Sequence, residues 1–144
     1  MFKSFLVAVM MLVSVAVNAQ NFGTYQIPKA DITSVYDGDT LYITEKSCPP
    51  VFCTHIGVRL NGIDTPEMHG KCQLEKDKAK KAKLFLTGAI KDGTVIELRD
   101  TSREKYGRLI GDMYIDGKSV GDQMIASGLA VSYHGEKKTT DWCK

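Results

Sequence analysis

Apolar and polar residues alternate in several short segments of the chain, and this pattern predicts β-strands. Residues 29–36 and 39–45 alternate and are rich in β-branched side chains, and the sequence YDGD joins them. An Asp-Gly pair between two alternating segments is a strong signal for a tight hairpin turn. The sequence therefore predicts a β-hairpin here, followed by a third strand from His55 to Leu60.

The pattern changes to helical spacing over residues 71–90. Apolar and small side chains recur there every three or four positions, while lysines occupy the opposite positions. Residues 94–100 and 108–116 alternate again and predict two more strands, and residues 119–128 predict a short second helix that ends at Gly128. Strands, a helix, two further strands and a helix predict an α+β domain, with a five-stranded β-barrel of the OB type.

The N-terminal segment has a different composition. Lys3 precedes an uncharged apolar run from Phe5 to Val17, and the small residue Ala19 follows. This layout is typical of a secretory signal peptide, and a run of about 13 apolar residues is short for a membrane span of ~20. We therefore expect residues 1–19 to be removed. Residues 20–144 are then expected to form one domain, secreted or periplasmic, with no membrane attachment.

The charge of the chain limits how it can attract an anionic partner. The formal net charge is +2, and loss of Lys3 with the signal peptide lowers it to +1. Bulk charge therefore gives little attraction for nucleic acid, and an anionic substrate needs a local cluster of cations.

The four cysteines of the chain predict two disulfide bonds in an exported protein. No CxxC pair is present, so a zinc site is the less favoured interpretation. Cys48 and Cys53 enclose a short loop that is easy to close, which leaves Cys72 for Cys143. These are the predicted bridges, and the other two pairings stay open until the linked peptides are identified.

Two groups of acidic residues lie at predicted strand ends. Asp37 and Asp39 occur in DGDT, and Asp64 and Glu67 occur in IDTPE. Each group alone is also typical of a turn or of a helix start. If the barrel brings them together, two carboxylates ~4 Å apart repel by about 4 kcal/mol at an effective dielectric constant near 20. They would then share a proton or bind a hard cation such as Ca²⁺.

Two of the four arginines lie close to these acids in the sequence. Arg59 precedes the IDTPE segment, and Arg108 ends the segment REKYGR beside Lys105 and Tyr106. A guanidinium offers a planar fork to phosphate oxygens, whereas an ammonium is a point charge. The combination indicates a site for a phosphate group with a nucleotide ring beside it.

Four segments together resemble the staphylococcal nuclease (thermonuclease) family: VYDGDT, VRLNGIDTPE, EKYGR and IASGLA. They occur in the same order and with similar spacing over residues 30–133. The resemblance implies an OB-fold barrel that hydrolyses DNA and RNA with Ca²⁺, breaks the 5′-oxygen–phosphorus bond and leaves 3′-phosphate ends. We expect a secreted, monomeric form whose segment after residue 133 is short, where the family's best-known member has a long helix.

The resemblance also implies a role for each matching residue. Asp39, Asp64 and the backbone carbonyl of Thr65 would bind Ca²⁺, and Asp37 would support the site from just outside. Glu67 would orient or deprotonate the attacking water. The remaining matches would stabilise the phosphate (Arg59 and Arg108) or line the nucleotide pocket (Lys105, Tyr106 and Tyr133). The histidines are expected to be surface or structural residues (His55, His69 and His134).

Two other classes of protein share parts of this pattern. A catalytically silent OB-fold module would only bind nucleic acid, and loss of Glu67 or of either arginine would favour it; all three are present. An exported structural domain with a Ca²⁺-stabilised loop would have no affinity for nucleic acid. Digestion of nucleic acid with and without a chelator distinguishes a nuclease from both of these classes.

Overall fold

The computed structural model describes residues 21–144, and the predicted signal peptide over residues 1–19 lies outside them. The described part contains nine strands, three α-helices and one 3-10 helix at Lys29–Asp31. The elements, in chain order, are β1 (Tyr25–Gln26), β2 (Ile32–Val35), β3 (Thr40–Ile43), α1 (Pro50–Cys53), β4 (Ile56–Leu60), β5 (Ile63–Asp64), α2 (Gln73–Asp92), β6 (Ile96–Arg103), β7 (Leu109–Ile115), β8 (Lys118–Ser119), α3 (Val120–Ala126) and β9 (Val131–Ser132).

Five strands form the body of one curled sheet in the order β6-β7-β4-β3-β2, and β1 pairs with β6 at the edge. Neighbouring strands are antiparallel except β4 and β7, which are parallel. The short strand β8 pairs with β7, and β5 and β9 form a separate two-stranded sheet. This is the α+β, OB-type architecture that the sequence predicts.

The number of elements differs from the prediction of five strands and two helices. The four additional strands β1, β5, β8 and β9 have two residues each, and α1 has four residues. Segments this short contain too few residues to show an alternating or helical pattern. The first predicted strand, residues 29–36, is also shorter, because a 3-10 turn after Pro28 occupies its first three residues.

Helix α2 is the long helix that the sequence predicts, moved by two residues at each end. Its N-cap is Cys72, whose sulfur accepts a hydrogen bond from the backbone nitrogen of Glu75. Its buried residues lie at helical spacing: Glu75, Ala79, Ala82, Leu86 and Ile90. The last three belong to the hydrophobic core. Within the described chain, no helix is both long enough and apolar enough to cross a membrane.

The turn between β2 and β3 packs directly against α2, and this contact requires glycine at position 38. A Cβ atom added to Gly38 would lie 2.6 Å from Ala82 Cβ and 2.9 Å from Thr65 Cγ2. Both distances are below normal van der Waals contact. The close approach brings the turn that carries Asp37 and Asp39 beside the segment that follows β5.

The structure contains both predicted disulfide bonds, Cys48–Cys53 and Cys72–Cys143. The Cα atoms are 5.9 Å and 6.0 Å apart in the two pairs, within the usual range for a disulfide. No cysteine in residues 21–144 is free, so the alternative of a thiolate zinc site is excluded. The second bridge fastens the C-terminal segment to the start of α2.

The two bridges are expected to contribute unequally to stability. In the chain-entropy model a bridge across 71 residues contributes about 4.4 kcal/mol and one across five residues about 2.1 kcal/mol. Cys143→Ser should therefore lower the free energy of unfolding by roughly twice as much as Cys53→Ser. Urea denaturation of the oxidised proteins measures both values, and equal losses would contradict this account.

Candidate active site

The predicted acids and arginines lie together around one cleft of about 220 Å³. Strand pairing explains how distant segments meet there. Thr40 lies opposite Arg59 in the β3–β4 pair, and Val58 lies opposite Leu109 in the parallel β4–β7 pair. The cleft residues that the sequence predicts are Asp37, Asp39, Arg59, Asp64, Thr65, Glu67 and Arg108.

Asp39 is a buried carboxylate with defined partners. The backbone nitrogen and the hydroxyl of Thr65 donate to its Oδ2 atom at 3.0 Å and 2.9 Å, and the Thr40 hydroxyl donates to Oδ1 at 3.2 Å. Asp37 stands outside this carboxylate and accepts a hydrogen bond from the backbone nitrogen of Asp39 at 3.1 Å. Asp37 therefore shapes the turn that presents Asp39.

Burial raises the pKa of Asp39 to about 6, and the neighbouring Arg59 opposes this increase only in part. The nearby carboxylate of Asp37 raises the pKa further. A carboxylate in such surroundings is costly to ionise unless positive charge lies next to it. A further cation beside Asp39 would favour its ionised form.

Asp64 is the second buried carboxylate, with 4% of the residue exposed. Its Oδ1 atom is buried, and its polar contacts within the described part are ion pairs with side-chain cations. Two cations lie within ion-pair distance of this atom, Arg59 Nη2 at 3.8 Å and Lys138 Nζ at 2.8 Å. A buried carboxylate is costly without a positive partner, and a metal ion could take the place of these side-chain cations. The oxygen donors of Asp39 and Asp64 thus fit a hard divalent cation.

Arg59 lies between the two carboxylates and also holds the backbone. Its Nη1 atom is 3.0 Å from Asp39 Oδ2. Nη1 also donates to the carbonyl of Leu60 at 2.8 Å, and Nη2 donates to the carbonyl of Ile63 at 2.9 Å. The planar fork therefore fixes the turn that leads to Asp64, which a lysine could not do with one ammonium.

Arg108 enters the cleft from the start of β7. Its Nε atom hydrogen-bonds to Glu104, and its aliphatic stem lies against the backbone of Gly57. A Cβ atom at Gly57 would lie 3.0 Å from Arg108 Cγ, so glycine leaves room for the arginine. Arg108 and Arg59 thus line the same cleft.

Glu67 lies at the exposed rim of the cleft, where 64% of its side chain is accessible. The backbone of Glu67 is hydrogen-bonded to Glu75, a buried residue of α2. The sequence analysis did not assign a role to Glu75. Glu75 Oε1 accepts from the backbone nitrogen of Glu67 at 3.4 Å, and Oε2 accepts from that of Lys71 at 2.8 Å. The sequence contained one signal for Glu75, since this acidic residue lies on the apolar face of the predicted helix.

Lys138 also lines the cleft, and the sequence analysis did not assign it. Its Nζ atom is 2.8 Å from Asp64 Oδ1 and 3.4 Å from Glu67 Oε1. Burial alone lowers the pKa of Lys138, but the two carboxylates outweigh this effect and raise it above its ordinary value. Lys138 lies outside the four segments that carry the resemblance, so no sequence signal marked it.

A comparison with known protein families identifies the family of the chain. The family model described as "Staphylococcal nuclease homologue" matches residues 57–142, which is more than half of the chain. The chain belongs to the staphylococcal nuclease family.

Curated relatives in this family include plant proteins. The chain is 35% identical over 79 residues to "Probable staphylococcal-like nuclease CAN1" of Oryza sativa subsp. japonica, which covers 53% of the chain and 21% of the relative. It is 31% identical over 87 residues to "Staphylococcal-like nuclease CAN1" of Arabidopsis thaliana, which covers 60% of the chain and 25% of the relative. The chain thus spans about a quarter or less of the length of these relatives.

The other residues assigned through the staphylococcal nuclease family lie in two places. Tyr133 lines a second hollow of about 450 Å³, which shares Arg59, Arg108 and Lys138 with the cleft. Lys105 and Tyr106 lie in the exposed turn between β6 and β7, with the Lys105 ammonium 4.9 Å from the centre of the Tyr106 ring. They line neither hollow, and their role in nucleotide binding remains a prediction.

The three histidines have different surroundings. His55 stacks on Tyr42, with ring centres 4.0 Å apart, and the His134 ring hydrogen-bonds to Ser132. His69 is exposed and lies at the rim of the cleft.

Proposed function

We propose that this protein is an exported, Ca²⁺-dependent nuclease that hydrolyses phosphodiester bonds of DNA and RNA. The observation that carries the proposal is the cleft itself. Two buried carboxylates flank the guanidinium of Arg59, and one of them also pairs with the ammonium of Lys138 at 2.8 Å. Glu67 and Arg108 line the same cleft. Membership of the staphylococcal nuclease family supports this assignment.

The residues that would hold the ion are Asp39, Asp64 and the backbone carbonyl of Thr65. These oxygen ligands are the type that Ca²⁺ accepts, including in irregular loop geometry. When bound, the ion supplies Lewis-acid stabilisation of charge on the phosphate. Asp37 supports the turn that carries Asp39 through its hydrogen bond to the backbone.

Glu67 acts on the attacking water in the proposed reaction. Its carboxylate orients the water and accepts a proton while the water oxygen bonds to phosphorus. The bond between phosphorus and the 5′ oxygen breaks, and that oxygen takes up a proton to become a 5′-hydroxyl group. The other product carries a 3′-phosphate. Arg59 and Arg108 donate hydrogen bonds to the phosphate oxygens as negative charge builds up on them.

The magnitudes favour this division of roles. Phosphodiester hydrolysis can require up to ~10¹⁷-fold acceleration, which corresponds to about 23 kcal/mol. A general base contributes roughly 10²–10⁴-fold, which is too little alone. An arginine that stabilises the transition state contributes about 10³–10⁵-fold in phosphoryl transfer. Base, arginines and metal ion are therefore all needed.

The nucleotide next to the scissile phosphate would occupy the second hollow. Tyr133 lines this hollow and offers a ring for stacking on a base. Lys105 and Tyr106 lie on the adjoining exposed turn and would contact the chain further along. We propose that the enzyme acts as a monomer.

Export is part of the same proposal. The first 19 residues have the layout of a signal peptide. Both disulfides of the mature domain, residues 20–144, are stable in an oxidising compartment, which supports a secreted or periplasmic location.

The proposed function is tested by digestion of plasmid DNA and of RNA with the purified mature chain. We expect both polymers to be cleaved with Ca²⁺ and cleavage to stop when a chelator in excess removes the ion, because the carboxylates then have no Lewis acid to present to the phosphate. Restoring Ca²⁺ should restore cleavage. Undiminished cleavage after exhaustive chelation would falsify the metal assignment, and binding without cleavage would indicate a silent OB-fold module.

A further inference from the structure

The C-terminal segment after β9 brings a cation into the cleft. Lys138 Nζ lies 2.8 Å from Asp64 Oδ1, a buried carboxylate oxygen, and 3.4 Å from Glu67 Oε1. One ammonium therefore contacts both a proposed metal ligand and the proposed base. Nearly half of the Lys138 side chain, 48%, stays exposed, so it can leave without disturbing the core.

The last residues of the chain fix the position of Lys138. Cys143 is bonded to Cys72 at the start of α2, and Lys78 of α2 donates to the carbonyls of Trp142 at 3.1 Å and of Lys144 at 2.8 Å. The five residues from Lys138 to Cys143 can span at most ~18 Å when fully extended. The bridge therefore keeps the ammonium near the cleft.

We propose that Lys138, held by the Cys72–Cys143 bridge, is a built-in competitor for the metal site, and that it occupies Asp64 until a divalent cation displaces it. This inference rests on the proposed metal site. An ammonium and a divalent ion on the same carboxylate repel each other, so the binding of one weakens the binding of the other. In its observed position on Asp64, the ammonium is already 5.9 Å from the centre of the Tyr133 ring, which lines the adjoining second hollow.

The effect of Lys138 on the affinity for Ca²⁺ is large enough to measure. Half-exposed ion pairs contribute up to ~1 kcal/mol, which corresponds to about a fivefold change in an equilibrium constant. Removing the Lys138 charge should therefore strengthen the binding of Ca²⁺ by about fivefold. A merely structural lysine would give no change, or weaker binding through a less ordered segment.

The test is isothermal titration of Ca²⁺ into the metal-free mature chain, compared with Lys138→Met and Lys137→Met. Lys137 is exposed and has no ion pair within residues 21–144, so its variant controls for the loss of one positive charge. We expect a lower Kd for Lys138→Met and a nearly unchanged Kd for Lys137→Met. An unchanged or higher Kd for Lys138→Met, or an equal decrease in both variants, would overturn the proposal.

A second comparison tests the role of the bridge. The Cys72→Ser/Cys143→Ser double variant keeps a good helix cap, because serine is favoured at that position. This double variant should lower the Kd for Ca²⁺ by about as much as Lys138→Met does. When both serine changes are combined with Lys138→Met, the Kd should fall little further. Two independent, additive decreases would overturn the role of the bridge, while the Lys138→Met result stands if the double variant does not fold.

Since binding is measured directly, Ca²⁺ binding without nuclease activity would refute the proposed function alone, and an absence of Ca²⁺ binding in every variant would refute this inference.

Discussion

Replacing Glu67 with glutamine is expected to lower kcat by about 10²–10⁴-fold, the usual contribution of a general base. The amide keeps the size of the side chain but can neither accept the proton of the attacking water nor pair with Lys138. The backbone contact with Glu75 does not involve the Glu67 side chain, so the loop should keep its position. Binding of a nucleotide inhibitor should therefore be little changed. Steady-state kinetics on a short oligonucleotide, with inhibitor titration, measures both quantities.

Glu97→Gln serves as the matched control for this prediction. Glu97 lies on β6, where it pairs with Arg99, and it lines neither of the two hollows at the site. Its variant should retain nearly full kcat. If Glu67→Gln raised KM and left kcat unchanged, the carboxylate would contribute to substrate binding and the assignment as base would be wrong.

Replacing Arg59 with lysine is expected to reduce kcat/KM by about 10³-fold or more, which lies within the range for arginines that stabilise phosphoryl transfer. Lysine keeps the charge but loses the planar fork. The fork also donates to the carbonyls of Leu60 and Ile63, so the turn before Asp64 should loosen as well. Single-turnover kinetics at saturating enzyme reports the loss in the chemical step, and urea denaturation reports any loss of stability.

Arg99→Lys is the control for the arginine change. Arg99 pairs with Glu97, lies over the Tyr114 ring at 3.8 Å, and lines neither hollow. A small kinetic effect is expected for it. Nearly wild-type turnover of the Arg59→Lys variant would show that Arg59 acts as a point charge or only supports the turn, and the phosphate assignment would then fail.

Local patterns in the sequence were sufficient to predict the long elements of the fold. Alternation in β3, β4 and β7 and helical spacing in α2 arise because each element buries one face against the core. The two-residue strands leave no such pattern. The parallel pairing of β4 with β7 joins residues about fifty positions apart, and no local signal specifies it.

The candidate site could be predicted where its residues lie in short, recognisable segments. Asp39, Arg59 and Asp64 lie in segments that resemble the family, and strand pairing brings them together. Glu75 and Lys138 act through contacts that depend on the folded chain. Lys138 reaches Asp64 across 74 positions because a disulfide fixes the segment that carries it. Only the three-dimensional structure reveals such a contact.

The central claim is that this cleft hydrolyses a phosphodiester bond by attack of water at phosphorus with loss of the 5′ oxygen. The most direct test is mass spectrometry of the products from a defined DNA oligonucleotide cleaved by the mature chain with Ca²⁺ in ¹⁸O-labelled water. The account predicts fragments with a 5′-hydroxyl group and fragments with a 3′-phosphate that carries one ¹⁸O atom. An intact oligonucleotide, or products with the label in a 5′-phosphate, would contradict it.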